Sequence, residues 1–168
     1  MERLFSQSIG IPVIADDLKA PVGFVKDFII NTENGKIMAF IINKKQNLVV
    51  SEQDISGFEF FPRIKTVDAM IEGKEIVRVY DVQKKGLFIV KNRVFTENGK
   101  YLGICEDFSY DDNSFQLKKL FVSRRFLHFF KLDERIIAIE EIVVVKRNKI
   151  VVKDDLLAEK QRSMATAN

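Results

Sequence analysis

Apolar residues in this chain fall into short runs separated by polar turn residues, a pattern typical of β-strands. Residues 24–30 form one run, rich in β-branched and aromatic side chains, and residues 37–42 form the next. Between them lies Asn34-Gly35, a dipeptide that favours a type I′ turn because both residues tolerate positive φ. The pattern predicts a β-hairpin, and its nearly continuous apolar character indicates burial on both faces, as in a small closed barrel.

A second hairpin is predicted further along, with strands at 102–110 and 115–122. Its turn, Asp111-Asp112-Asn113-Ser114, could instead suggest a metal loop. The spacing lacks the further ligands of a calcium-binding loop, and these residue types are common in turns because their side chains bond nearby backbone. A turn is therefore favoured, and no metal ligand is assigned.

The two hairpin regions are copies of one pattern. Val22-Gly23-Phe24-Val25-Lys26-Asp27-Phe28 returns as Leu102-Gly103-Ile104-Cys105-Glu106-Asp107-Phe108, at an offset of 80 residues. A repeat of this size predicts a duplicated small domain. We expect a first domain at 1–80, a second at 81–155, and a C-terminal tail at 156–168 that adds at most one helical turn and is disordered.

The rest of the chain also favours strands, which predicts an all-β fold class. Residues 142–145 and 150–152 suggest a last hairpin through Arg147-Asn148. Residues 76–80 have a strand-like pattern, which indicates that the copies are packed closely rather than joined by a flexible tether. Helix is expected to be scarce, with a single turn at 66–71.

The repeated unit resembles the PRC-barrel family. The similarity is clearest at residues 94–107, and the first copy carries it at residues 22–27 and at Ser51-Glu52-Gln53-Asp54-Ile55. The first copy departs from the family pattern at Lys19-Ala20-Pro21, where an altered turn is expected. The resemblance implies two tandem small β-barrels, each of about six strands, with very little helix. The family includes the cytoplasmic domain of the reaction-centre H subunit and the C-terminal domain of ribosome maturation factor RimM.

Composition and charge narrow the class of protein. Hydrophobic residues make up 46% of the chain and charged residues 30%, as in soluble globular proteins. The net charge of +3 permits contact with nucleic acid or an acidic membrane but argues for neither. A single cysteine, no signal peptide and no apolar run long enough to span a membrane indicate a cytoplasmic protein.

Residues with chemical potential are few, and each has a structural interpretation. Gly23 and Gly103 are expected at strand bends or bulges rather than in phosphate loops, because each precedes a strand and not a helix. Asp27 and Asp107 could form an acid–base pair, but hydrogen bonding within each barrel is favoured. Cys105 is expected to be a small buried hydrophobe. The sequence predicts no catalytic residue, no metal site and no cofactor, and hence no enzyme.

One segment interleaves basic and aromatic side chains in the part of the second copy that has no counterpart in the first. Three interpretations remain open: the aromatic rings pack inward, they contact a protein, or they stack on RNA. The partner-binding candidates are Arg124, Arg125, Phe126, Phe129, Phe130 and Lys131.

The resemblance and the missing catalytic cluster lead to a non-enzymatic adaptor for a protein or ribonucleoprotein partner. The alternative is an RNA- or ribosome-associated factor in RNA processing or ribosome maturation. Attachment to a membrane complex is suggested only by the H-subunit resemblance and is not expected. Exposed strand edges could also pair between chains, which would give a homodimer.

Overall fold

In a computed structural model of the protein, residues 1–126 and 130–154 are described, with the backbone alone for 125–126 and 130–132. The predicted tail at 156–168 lies outside the described residues. The chain divides into two compact units. One comprises Met1–Gly86 with Ser109–Leu117, and the other Leu87–Phe108 with the residues from Lys118 onward.

The first unit is built from short strands and two helices. Its elements are β1 (Glu2–Leu4), α1 (Phe5–Ser8), β2 (Pro12–Ala15), β3 (Ala20–Phe24), β4 (Asp27–Asn31), β5 (Lys36–Asn43), β6 (Leu48–Ser51), β7 (Ile55–Phe58), β8 (Pro62–Ile64), β9 (Met70–Glu72) and α2 (Val77–Lys85). Two four-stranded sheets result, in the orders β3-β2-β8-β7 and β4-β5-β6-β9. The β2–β8 pair is parallel, and the other pairs in these sheets are antiparallel.

The second unit contains longer strands. They are β10 (Arg93–Thr96), β11 (Tyr101–Asp111), β12 (Leu117–Phe126), β13 (Phe130–Ala138), β14 (Ile142–Lys146) and β15 (Lys149–Val152), in the order β13-β12-β11-β10-β15-β14. The end of β11 from Ser109 and the first residue of β12, Leu117, belong to the first unit, where β1 pairs with that end of β11. The β10–β15 pair is parallel, as β2–β8 is in the first unit. β14 and β15 form the predicted last hairpin. The described residues are mostly strand, so the predicted all-β class is confirmed.

The prediction of a strand at residues 76–80 is wrong, because helix α2 begins in this segment. Ile76, Val79 and Val82 recur at helical spacing and pack with Ile29 and other apolar residues of the first unit. An alternating V-R-V pattern suits a strand and a helix equally over so few residues, and the packing decides between them. No helix among the described residues is long and apolar enough to cross a membrane.

The first predicted hairpin exists as β4 and β5, but its turn type differs from the prediction. The strands close at Asn31 opposite Lys36, which leaves four residues in the turn. Gly35 has positive φ and Asn34 does not, so the type I′ assignment is wrong. Side-chain amides close the turn instead: Asn31 Oδ1 accepts from the Glu33 N–H at 3.1 Å, and Asn34 Oδ1 from the Lys36 N–H at 3.1 Å.

The second hairpin turns at the predicted place. The Asp111 carboxylate accepts hydrogen bonds from the Asn113 amide at 3.1 Å and the Ser114 amide at 2.9 Å. These bonds, that of Ser114 first, lower the pKa of Asp111 from 3.8 to about 2. Asp111 therefore serves the turn, as the sequence indicates.

The turn of this hairpin completes the core of the first unit. Tyr110 and Phe115 are buried there, with ring centroids 5.4 Å from Phe28 and 5.6 Å from Phe40 respectively. Phe28 and Phe40 also pack edge to face at 4.7 Å. Backbone bonds add to the aromatic contacts, including one of 2.9 Å from the Ile37 N–H to the Phe115 carbonyl. Nine residues distant in sequence thus supply part of this core.

A bulge recurs beside the repeated glycine in both units. Val13 pairs with Gly23 but Ile14 pairs with Pro21, so β3 carries an extra residue there. In the same way, β11 carries an extra residue between Gly103 and Tyr101 opposite β10.

Candidate functional site

The hairpin end predicted to bind a partner is described only in part. The strands pair close to this end, and the Cα partners there are Arg125 with Lys131 and Phe126 with Phe130. Arg124 is exposed and adjoins a bulge in β12. Phe129 lies outside the described residues. Partner binding by this segment therefore stays a prediction.

The two repeated glycines lie at close approaches. A Cβ on Gly23 would come 2.3 Å from the Ile42 side chain, and one on Gly103 would come 2.3 Å from the Ser123 carbonyl oxygen. Gly103 also has a φ of +138°, whereas Gly23 has no positive φ. The Cβ direction at each position is filled by neighbouring protein atoms, so close packing requires glycine there.

Asp27 and Asp107 make the same local hydrogen bond. Each carboxylate accepts from the amide of the next residue, Phe28 at 3.0 Å and Phe108 at 2.9 Å. Asp27 also pairs with Lys44 at 2.7 Å, and its side chain is 37% exposed. The Asp27 carboxylate is therefore partly exposed, and it bonds both to the next amide of its strand and to Lys44.

Cys105 is fully buried, like Val25 at the matching position of the first copy. Burial, the largest cause, raises the pKa of the Cys105 thiol from 9.0 to about 12. Since the thiolate is the nucleophilic form, this residue is poorly suited to catalysis near neutral pH.

Because the thiol of Cys105 and the phenol of Tyr110 are buried, we expect the protein to lose stability at alkaline pH. Burial raises the pKa of Cys105 from 9.0 to about 12 and that of Tyr110 from 10.0 to about 12. Above about pH 9 the unfolded chain releases protons that the folded chain keeps, so the free energy of unfolding falls as pH rises toward 12. Urea unfolding at a series of pH values should show this fall, and Cys105→Val should make it shallower. An unchanged slope would count against the burial of the thiol.

The sequence did not predict that the carboxylates of Glu52 and Asp112 are buried. Glu52 lies 2.9 Å from Arg78 Nη1 and accepts a hydrogen bond of 3.1 Å from the Ser51 hydroxyl. Asp112 lies 2.6 Å from Arg3 Nε. Each carboxylate is paired with a cation, as burial of a charge requires. Among the described residues, no group of three or more His, Cys, Asp or Glu side chains could hold a metal ion.

The most prominent surface feature of the first unit is the turn between β7 and β8. Phe60 is 78% exposed and its neighbour Phe61 is 42% exposed. The exposed part of an aromatic ring contributes no burial energy to the fold, and aromatic residues are enriched where proteins bind partners. We define residues 59–61 as the Phe turn.

Arg3 holds the base of the Phe turn. Its Nη2 donates to the Phe58 carbonyl oxygen at 3.0 Å and also to the Glu59 carbonyl oxygen. Its guanidinium carbon lies 4.3 Å from the centre of the Phe58 ring, a cation–π contact. Because Asp112 binds the same guanidinium, a buried ion pair orders the backbone from which Phe60 and Phe61 project.

Sequence reasoning overlooked the Phe turn, although a signal was present. Phe58-Glu59-Phe60-Phe61-Pro62 places three aromatic residues around a strand end and directly before a proline. Within a sheet, proline is favoured as the first residue of a strand, so a new strand is expected to begin at Pro62. Some of the aromatic rings before it must then lie in the connection between the two strands. Which of them are exposed depends on the packing of Phe58 under Arg3.

Comparison with known proteins assigns a family to the chain. The family model described as PRC-barrel domain matches residues 1–86, just over half of the chain. The match covers the continuous part of the first unit, the copy with the altered turn at residues 19–21. No curated protein matches the chain.

Proposed function

Because the chain belongs to the PRC-barrel family, we propose that it is a cytoplasmic, non-enzymatic adaptor that binds a protein or ribonucleoprotein partner. The exposed Phe60–Phe61 pair on an ordered turn carries this proposal. In the proposed complex the two rings enter an apolar pocket of the partner.

The energetics of such a contact favour a protein partner. Interface residues that dominate binding energy are aromatic or arginine side chains held in place before the partner arrives. Arg3 supplies that order at the base of the Phe turn through two carbonyl hydrogen bonds. Burial of one phenylalanine side chain in a partner is worth about 1.5–3 kcal/mol. Two adjacent rings thus provide a compact anchor.

A tandem arrangement of two PRC-barrel domains is part of the proposal. Its support is the recurrence of local geometry in the second unit. Each unit has a parallel strand pair, a bulge next to the repeated glycine and an aspartate bonded to the following amide.

The proposal predicts that a partner is lost when the Phe turn is changed. Tagged full-length protein with Phe60→Ser and Phe61→Ser should retain its fold, because Phe60 is 78% exposed and Phe61, at 42%, also lies on the surface. It should fail to capture from the native lysate a protein that the unchanged chain captures. The matched control is Phe88→Ser, at a residue 66% exposed in the second unit. Equal capture by all three proteins would show that the Phe turn is not the binding site.

RNA or ribosome association is the second candidate function. It is favoured by one observation, the register of the β12–β13 hairpin, which pairs Arg125 with Lys131 beside the exposed Arg124. The same capture experiment separates the two functions when repeated with nuclease and at two salt concentrations. A protein partner is expected to survive both treatments. Ribosomal components that vanish with nuclease and weaken steeply with salt would favour RNA.

A further inference from the structure

The last strand hairpin of the second unit presents an apolar edge. In the described part of the chain, β14 is the final strand in the order of its sheet. Val143 is 47% exposed and Val144 is 38% exposed. A register shift between Ile142 and Val144 explains why two consecutive side chains both reach solvent. Strand edges of this kind are templates for pairing with another chain.

Charges flank this edge in a self-complementary order. Glu140 and Glu141 precede β14, and Lys146 and Arg147 end it and begin the next turn. Glu140, Lys146 and Arg147 are exposed. Glu141 lies 3.9 Å from Lys153 Nζ, a long contact that leaves its side chain 29% exposed.

The order matters because an antiparallel association of two such segments brings opposite charges together. If Val143 of one copy lies beside Val144 of the other, the short 3-10 helix with Glu140 and Glu141 lies near the end of the partner strand that carries Lys146 and Arg147. The same pairs occur twice through the two-fold axis, as in any isologous interface. A single sequence that supplies both halves of a complementary contact favours a second copy of itself over an unrelated partner.

We propose that β14 is the interface of a homodimer in which two copies of the chain associate antiparallel along this strand. The four valines, Val143 and Val144 of each copy, form the apolar centre. The carboxylates and cations lie at both ends and set the register. This strand belongs to the second unit and shares no residue with the Phe turn, so the experiments on the dimer and on the adaptor function can fail independently.

The test is a charge-reversal experiment on the full-length protein by sedimentation equilibrium, at concentrations up to about 200 µM, where a contact of modest affinity is populated. The unchanged protein is expected to dimerise. Glu140→Lys with Glu141→Lys gives one variant, and Lys146→Glu with Arg147→Glu gives the other. Each variant alone should associate more than about tenfold more weakly, because like charges then face each other. An equimolar mixture of the two should recover a heterodimer.

Two control variants carry the same charge changes in the first unit, Asp68→Lys with Glu75→Lys and Lys45→Glu with Lys65→Glu. They should dimerise like the unchanged protein. A monomeric unchanged protein would overturn the proposal, as would variants that dimerise normally or a mixture that stays monomeric. Recovery in the mixture also shows that both variants are folded.

Discussion

Replacement of Asp112 by alanine is expected to lower the free energy of unfolding of the first unit by about 3–5 kcal/mol. The carboxylate is buried and lies 2.6 Å from Arg3 Nε. Its removal leaves the guanidinium, itself mostly buried, without its counter-charge. Breaking one side of a buried ion pair costs more than the pair contributes, because the remaining charge has lost its solvation as well as its partner.

The measurement is urea-induced unfolding of the full-length chain, with Asp16→Ala as the matched control. Asp16 also pairs with an arginine of the first unit, Arg63, but both side chains are more than a third exposed. Such a surface pair is worth about 0–1 kcal/mol. Arg3→Met with Asp112→Leu removes both charges and should recover part of the loss. If Asp112→Ala and Asp16→Ala cost the same, the buried pair does not stabilise the unit.

Replacement of Gly103 by alanine is expected to cost about 3 kcal/mol in the second unit. The positive φ of Gly103 accounts for about 1–2 kcal/mol, because a Cβ is disfavoured there. The rest comes from the steric clash of the new Cβ with the backbone at Ser123, which cannot move aside without disturbing β12.

Gly23→Ala is the natural comparison, since this residue is the counterpart of Gly103 in the first copy. Here the clash is with the Cγ2 methyl of Ile42, a buried β-branched side chain, and φ is not positive, so only overpacking opposes the new Cβ and the cost is about 1–2 kcal/mol. Urea unfolding of both variants, each followed through the transition of its own unit, gives the two values. Equal losses would mean that backbone conformation does not distinguish the two glycines.

The hairpins were predictable because they depend on local sequence. Alternation of apolar and turn residues places β4, β5 and the β11–β12 turn close to where the structure has them. The prediction of a type I′ turn at Asn34-Gly35 was wrong. The same dipeptide also fits longer turns. The pairing of Asn31 with Lys36 at the ends of the two strands sets the length of this turn at four residues.

The candidate site was less accessible from the sequence. The basic–aromatic segment was predicted to bind a partner because of its residue composition. The Phe turn, in contrast, is recognised by the solvent exposure of its side chains. Exposure of Phe60 follows from the way Arg3 and Asp112 hold Phe58. These residues are distant in sequence, and the patterns used to assign strands and turns carry no information on such contacts.

By itself, the sequence determined the strand-rich class, the repeated pattern and the family resemblance, since each follows from residue type and spacing along the chain. Only the tertiary structure decided that α2 is a helix, because burial of Val79 selects between two local patterns that fit equally well. It also decided that Tyr110 and Phe115 complete the core of the first unit. The physical reason is the same in both cases: burial of apolar surface depends on which residues meet in space, and local sequence constrains that choice only weakly.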